Sequence, residues 1–159
     1  MSSPLSLPER VASRLGQAEA DDAALRAVLD MVMSHFDCTV GTIHILSPSS
    51  GLLELRAYSG VPESLLPRIR SIPIGKGMAG IAAERRQPVQ VCNLQSDASG
   101  MAKPQARETK MEGAIAVPML VGKSLRGVIG VATPNVREFD EGEVAVLAEI
   151  GSIVGNCLG

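Results

Sequence analysis

The sequence predicts an α+β domain in which the first and last helices together cover one face of a mixed or antiparallel sheet. Apolar residues recur at helical spacing over residues 22–36 and again over about 140–157. Between these helices, runs of β-type residues form two hairpins, which exclude a purely parallel sheet. The length of 159 residues suits one domain with a full hydrophobic core.

The first 20 residues are predicted to be attached to the domain rather than part of it. Leu7, Val11 and Leu15 recur at four-residue spacing and give a thin apolar stripe, which Gly16 interrupts. We therefore predict an N-terminal extension or linker helix over residues 1–20, followed by a single domain over residues 21–159.

The helix at 22–36 begins at an aspartate, Asp21 or Asp22, whose carboxylate can accept hydrogen bonds from the free N–H groups of the first turn. Its apolar residues fall on one face. They are Leu25, Val28, Leu29, Val32 and Phe36.

The first hairpin is predicted over residues 40–46 and 52–59, around a turn at 47–51. So short a link can join only antiparallel neighbours. In the second strand Leu53, Leu55 and Ala57 alternate with polar residues and Tyr58. We predict that these three side chains share one buried face and that the residues between them face water.

The middle of the chain alternates turns with short elements. A glycine-rich stretch at 75–80 precedes a short helix that ends near Arg86, and residues 89–92 form a strand. Residues 93–110 are polar, and a link of this length is usually functional or carries a short helix. Residues 114–119 and 125–132 form the second hairpin, and a capping box of Asp140 and Glu143 begins the closing helix.

Composition and charge exclude several classes of function. A net charge of −2 gives no electrostatic footprint for nucleic acid or an anionic membrane. No apolar run approaches the roughly 20 residues that span a bilayer, and the first residues do not form a signal peptide. We therefore expect a cytoplasmic protein. Three distant cysteines, Cys38, Cys92 and Cys157, predict neither a disulfide framework nor a zinc site, and each is expected to be buried.

Several segments resemble the GAF domain family. The family's P-x-G-x-G-h-x-G-h-A stretch, where h is hydrophobic, is matched at positions Pro73, Gly75, Gly77, Gly80 and Ala82. Residues 87–89, 117–119 and 125–131 resemble the family's following strands, and the likeness spans about residues 20–157. The resemblance implies a mostly antiparallel sheet of five or six strands. It also implies a ligand pocket, with short helices and loops, on the face opposite the terminal helices.

By this resemblance the pocket is walled by the sheet, the short helix at 78–86 and the segment 93–111. The candidate ligand-binding residues are Tyr58, Met78, Ile81, Asn93, Asp97, Met101, Arg107 and Met111. Arg107 could pair with a carboxylate or phosphate. The methionines suit an adaptable, partly apolar site, or alternatively fill a core. The sequence names neither the ligand nor a cofactor, and it predicts no metal site.

Two other features have competing interpretations. Residues 75–80 fit the G-x-G-x-x-G pattern of dinucleotide sites, but Pro73 and the hairpin that follows are the wrong context. The glycines are interpreted as a tight entry into a helix, whose free N–H groups could hold an anionic group of a ligand. His44 is predicted to lie on the face opposite Ile43 and Ile45 as a hydrogen-bonded histidine, with a haem or metal ligand as the alternative.

We expect that the domain is not an enzyme. The free methionine-(R)-sulfoxide reductases, which are similar to the family, use cysteines in the glycine-rich stretch and in the loop after it. This chain has Met78 and Ala79 in that stretch and no cysteine over residues 93–110. The alternatives are a divergent reductase of this kind and a structural dimerisation module without a ligand.

The predicted function is to bind a small molecule in bacterial-type signalling or transcriptional regulation. Ligand occupancy would order the segment 93–111 and bias the terminal helices. Gly151 and Gly155 lie four residues apart on the last helix, and small residues let helices approach closely. We therefore predict a homodimer through the terminal helices, or a connection there to an output domain or partner protein.

Overall fold

The structure, a computed structural model, describes residues 6–16, 20–91 and 111–158. Its helices are α1 (Leu7–Leu15), α2 (Asp22–His35), α3 (Leu66–Ile69), α4 (Gly77–Arg85) and α5 (Glu141–Asn156), with a 3-10 turn at Glu63–Leu65. Its strands are β1 (Val40–Leu46), β2 (Leu52–Ser59), β3 (Ser71–Pro73), β4 (Val89–Val91), β5 (Gly113–Val121) and β6 (Ser124–Thr133).

The strands form one six-stranded sheet in the order β3-β2-β1-β6-β5-β4, and each neighbouring pair is antiparallel. The two predicted hairpins, β1-β2 and β5-β6, meet where β1 pairs with β6. The α+β class and the predicted architecture are therefore confirmed. The sequence did not predict α3 or the 3-10 turn before it.

Local signals begin the two terminal helices as expected. Asp21 caps α2 by accepting a hydrogen bond from the Ala24 N–H at 2.7 Å. At α5 the Glu143 N–H donates to the Asp140 carboxylate at 2.8 Å, and the Asp140 N–H donates back to the Glu143 carboxylate at 3.1 Å. This reciprocal capping box satisfies two N–H groups that the helix itself leaves free.

Helices α1, α2 and α5 cover one side of the sheet, which we call the helical face. Their apolar residues form one continuous core with Ile43, Ile115, Ile129 and Val131. Helix α2 packs closely on β1 because position 41 is glycine. A Cβ atom there would lie 2.7 Å from the sulfur of Met33 in α2. Helix α1 belongs to the same core, and Val11 is fully buried within it.

Strand β2 changes face at a bulge. Ile43 and His44 of β1 lie opposite Ala57 and Leu55, so that Arg56 is an additional residue in β2. Ala57 packs on the helical face, whereas Leu53 packs on the opposite face, beneath α4. The prediction of a single buried face along β2 is therefore wrong, since a bulge reverses the alternation partway along the strand.

Candidate functional site

A cavity of about 190 Å³ lies on the opposite side of the sheet from the helical face. We call this side the cavity face. The sheet forms the floor, and the segment around α3 and the first turn of α4 form the walls. The described residues that line the cavity are Val40, Gly41, Thr42, His44, Val61, Leu65, Ile69, Ile72, Met78, Ala79, Ala114, Ile115, Ala116, Gly130, Val131 and Ala132.

The hollow arises from an alternation of small and large residues in β5 and β6. Large side chains, including Ile115, Val117, Ile129 and Val131, fill the core on the helical face. The positions between them that line the cavity are Ala114, Ala116, Gly130 and Ala132. Since successive side chains of a strand point to opposite faces, the small residues all leave space on the same side.

Helix α4 is held over this floor by the glycine-rich stretch. A Cβ atom at Gly80 would lie 2.5 Å from the carbonyl oxygen of Pro73, a contact that no side chain permits. The Gly75 N–H donates to the carbonyl of Gly80 at 2.8 Å, and Gly75 and Gly77 adopt positive φ angles. The interpretation of these glycines as a tight entry into a helix therefore agrees with the structure. The result places Met78 and Ala79 on the cavity wall.

His44 is a polar group in this otherwise mostly apolar site. Its side chain lies on the other face of the sheet from that of Ile43, as predicted, and only 2% of its surface is exposed. Its Nε2 lies 2.8 Å from the carbonyl oxygen of Ile69, which ties β1 to α3. Its Nδ1 has no hydrogen-bond partner within the described ranges. Burial lowers the pKa of His44, against smaller opposing effects of the Ile69 carbonyl and the Glu54 carboxylate, so the neutral ring is favoured.

The candidate residues named from sequence are only partly brought together. Met78 lines the cavity. Ile81 packs one turn further along α4, in the cluster with Leu53 and Val128, rather than on the cavity wall. Met111 packs beside Ala114 and Ala132, and its sulfur lies 3.3 Å from the Thr39 hydroxyl.

Tyr58 is a candidate that the structure places outside the described lining of the cavity. It pairs with Thr42 across the β1-β2 ladder, yet it is 41% exposed and is not one of the described residues lining the cavity. It lies near the end of β2, beyond the bulge. The remaining candidates, Asn93, Asp97, Met101 and Arg107, lie outside the described residues, so they stay predictions.

The sequence-based list of ligand-binding candidates omitted Thr42, His44 and the small residues of β5 and β6, although His44 had been placed on the correct face. Thr42 and His44 are the only polar side chains, methionine aside, among the described lining residues. The sequence did indicate that Thr42 and His44 lie on the same face, because they are two positions apart on one strand. The alanine and glycine positions of β5 and β6 were a second signal, since small residues at alternate positions indicate a hollow on one face.

Cys38 and Cys157 lie on the other side of the sheet from this cavity, in or against the core of the helical face. Cys38 is buried and its sulfur lies 3.6 Å from the Phe36 carbonyl oxygen. Burial raises the pKa of the Cys38 thiol to about 11, although the nearby Arg137 lowers it in part. Cys92 lies outside the described residues, directly after β4.

Comparison with known families decides the assignment of the fold. Residues 18–158 match the family model of the GAF domain. The chain belongs to the GAF domain family. No curated protein is a match to its sequence.

Solved structures of GAF domains agree over nearly the whole chain. The GAF domain of an Acinetobacter phosphoenolpyruvate-protein phosphotransferase has a TM-score of 0.79 at 16% identity, covering 95% of this chain and 89% of that one. The nlh2 GAF domain of A. aeolicus has a TM-score of 0.70 at 20% identity, covering 95% and 92%. Identities this low establish a shared fold alone.

The same fold is found in enzymes. The free methionine-R-sulfoxide reductase of Neisseria meningitidis, solved in complex with its substrate, has a TM-score of 0.79 at 17% identity and covers 99% of this chain and 93% of that one. This finding overturns the expectation that the domain is not an enzyme, and the enzyme status of the chain is open.

Among the described residues, no helix is both long and apolar enough to cross a membrane. The cytoplasmic location stays a prediction.

Proposed function

We propose that this GAF domain binds a small, mainly apolar molecule in the cavity and relays its presence to the terminal helices as a signal. The observation that carries the proposal is a preformed hollow of about 190 Å³, to which Ala114, Ala116, Gly130 and Ala132 of β5 and β6 give space on one face of the sheet. Dry apolar cavities of roughly 150 Å³ hold benzene, so this one has room for a molecule of one or two rings.

The relay is proposed to pass through β1. Gly41 lines the cavity, and the same residue contacts Leu29 and Met33 of α2 on the helical face. Only the thickness of one strand therefore separates a ligand from α2. Interiors are close-packed, so a small shift of β1 would be felt directly by the helix.

Native mass spectrometry of the purified protein tests first for a co-purified small molecule. Binding is then measured with indole as the probe, by calorimetry or NMR titration. In the variant Ala132→Leu, the added atoms should fill the cavity and abolish indole binding, while Ala23→Leu, at an exposed position of α2, should bind as the wild type does. Ala114→Val is a milder filling variant if Ala132→Leu does not fold. Equal binding by the filled and control variants would contradict the proposed site.

Methyl NMR of methionine-labelled protein tests the relay. Indole should shift the resonance of Met33, whose sulfur is the atom nearest to a Cβ built at Gly41, more than that of Met31, a half-buried residue of α2. The shift should disappear in the filled variant. An unchanged Met33 resonance with indole bound would rule out this route through β1.

A thiol-dependent reductase is the second candidate function, because free methionine-R-sulfoxide reductases share the fold. Cys92 is the cysteine to test. It directly follows Val91, which packs with Ala114 and Ala132 of the cavity floor, whereas Cys38 and Cys157 lie toward the other face. The assay is reduction of free methionine-R-sulfoxide with dithiothreitol as the reductant. For this candidate, Cys92→Ser should abolish turnover and Cys157→Ser should not, and no turnover by the wild type would exclude it.

A further inference from the structure

His44 lines the cavity, and one nitrogen of its buried ring has an unused capacity for hydrogen bonding. His44 lines the cavity and is 98% buried, while Nδ1 has no partner within the part of the chain that the structure describes. A buried polar atom without a partner destabilises a fold, and native proteins seldom retain one without a use for it. The unpartnered atom therefore requires an explanation of its own.

The partner of the other ring nitrogen fixes what Nδ1 can do. Nε2 lies 2.8 Å from the Ile69 carbonyl oxygen. A carbonyl oxygen only accepts hydrogen bonds, so Nε2 must carry the proton and donate it. Burial lowers the pKa of the ring, which keeps it neutral. In the neutral ring with Nε2 protonated, Nδ1 is a lone-pair acceptor and cannot donate.

The remaining walls limit the group that this acceptor can meet. Apart from Thr42 and His44, the described lining residues are aliphatic, glycine or methionine, and none of them carries a charge. Since no described lining residue carries a cation, an anionic group beside this lone pair would have no compensating charge within the described walls, and burying an uncompensated charge costs much desolvation energy. A neutral N–H or O–H donor on an apolar skeleton fits both the acceptor and the walls.

We propose that His44 determines the specificity of the cavity: its Nδ1 accepts a hydrogen bond from a single N–H or O–H donor on an otherwise apolar ligand of one or two rings. This inference rests on the proposed ligand-binding function and deepens it. It makes His44 both the tie between β1 and α3 and the recognition residue for the ligand.

A pair of probes of equal shape tests the proposal on the full chain. Indole carries one N–H donor, and indene has the same two-ring skeleton without a donor. The wild type should bind indole about tenfold more tightly than indene, which corresponds to about 1.4 kcal/mol. In His44→Phe, which keeps an aromatic ring but has no acceptor, the two probes should bind with similar affinity.

The ring nitrogen resonances of His44 give a readout that a purely structural role would not change. In ¹⁵N-labelled protein, indole should move the Nδ1 resonance in the direction of an accepted hydrogen bond, whereas indene should not. His35, exposed at the end of α2, serves as the internal control. This measurement needs no variant, so it decides the matter even if His44→Phe does not fold.

The outcomes separate this inference from the proposed function. Equal binding of indole and indene by the wild type, or an Nδ1 resonance unmoved by bound indole, would overturn the role of His44 and leave the binding cavity intact. Binding of neither probe at millimolar concentration would overturn the proposed apolar ligand and, with it, this inference.

Discussion

At the scale of single residues, Cys38 shows how position alone sets reactivity. Its thiol is buried beside the Phe36 carbonyl, and a pKa raised to about 11 leaves roughly a hundredth of the thiolate of an ordinary cysteine. In a Cys92→Ser background, Cys38 should react with a disulfide reagent at pH 8 at least about tenfold more slowly than half-buried Cys157. The labelling rates of the two cysteines are assigned by measuring the same background with either Cys38→Ala or Cys157→Ser added. Labelling of Cys38 at the faster rate would show that its burial is transient.

A second effect at the scale of single residues concerns His44 and the pH dependence of the free energy of unfolding. The pKa of His44 is lowered in the folded state, from about 6.5 in the unfolded chain. Below pH 6.5 the unfolded chain therefore binds the proton more readily, and stability falls as the pH falls through the window down to the folded pKa. Urea unfolding at pH 7.5 and 5.5 should show a larger loss for the wild type than for His44→Phe. Identical losses in the two proteins would mean that His44 does not titrate as the structure indicates.

At the scale of elements, α4 depends on a glycine that helix propensity disfavours. Alanine is about 1 kcal/mol better than glycine inside a helix. At Gly80, however, a Cβ atom would lie 2.5 Å from the Pro73 carbonyl oxygen, so Gly80→Ala should destabilise the domain by about 1–3 kcal/mol. The matched control is Gly142→Ala in α5, where a Cβ atom would lie 3.4 Å from the Asp140 carboxylate and the position is exposed. This control should be neutral or stabilising in urea unfolding, and a stabilising Gly80→Ala would contradict the close contact.

Helix α1 gives the other prediction at this scale. The sequence predicted that residues 1–20 are an extension of the domain, and the boundary at residue 20 stays a proposal. Yet Val11 is fully buried in the core of the helical face. Val11→Ala should therefore cost about 2 kcal/mol of unfolding free energy, whereas exposed Arg14→Ala should change it by less than about 0.5 kcal/mol. A neutral Val11→Ala would favour a separable extension.

At the scale of the whole molecule, self-association stays a prediction, but the two glycines of α5 no longer support it. A Cβ atom at Gly151 would meet the Met119 backbone at 3.3 Å, and one at Gly155 would meet the Val121 side chain at 2.9 Å. Both glycines therefore allow α5 to approach the sheet, not a second copy. A dimer would have to use the outward side of α5, where Ala145 is exposed. Sedimentation at high micromolar concentration should detect the dimer, and Ala145→Arg should dissociate it; a monomeric wild type would end the idea.

The sequence by itself determined the features that depend on neighbours along the chain. The caps at Asp21 and Asp140, the helical faces, the two hairpins and the tight glycine entry to α4 each follow from local periodicity or hydrogen bonding over a few residues. The family likeness then gave the right order of layers, because each of its motifs lies on one such element.

Only the tertiary structure decided the site. The cavity exists because β1 pairs with β6, whose residues lie some 90 positions later in the sequence, so that Thr42 faces Gly130 across the ladder. Tyr58 pairs with Thr42 but lies exposed near the end of β2, outside the described lining. Ile69, 25 residues from His44 in the sequence, supplies the carbonyl oxygen that fixes the ring of His44. Periodicity specifies which side of an element is apolar, but not which elements meet there or how much space their side chains leave.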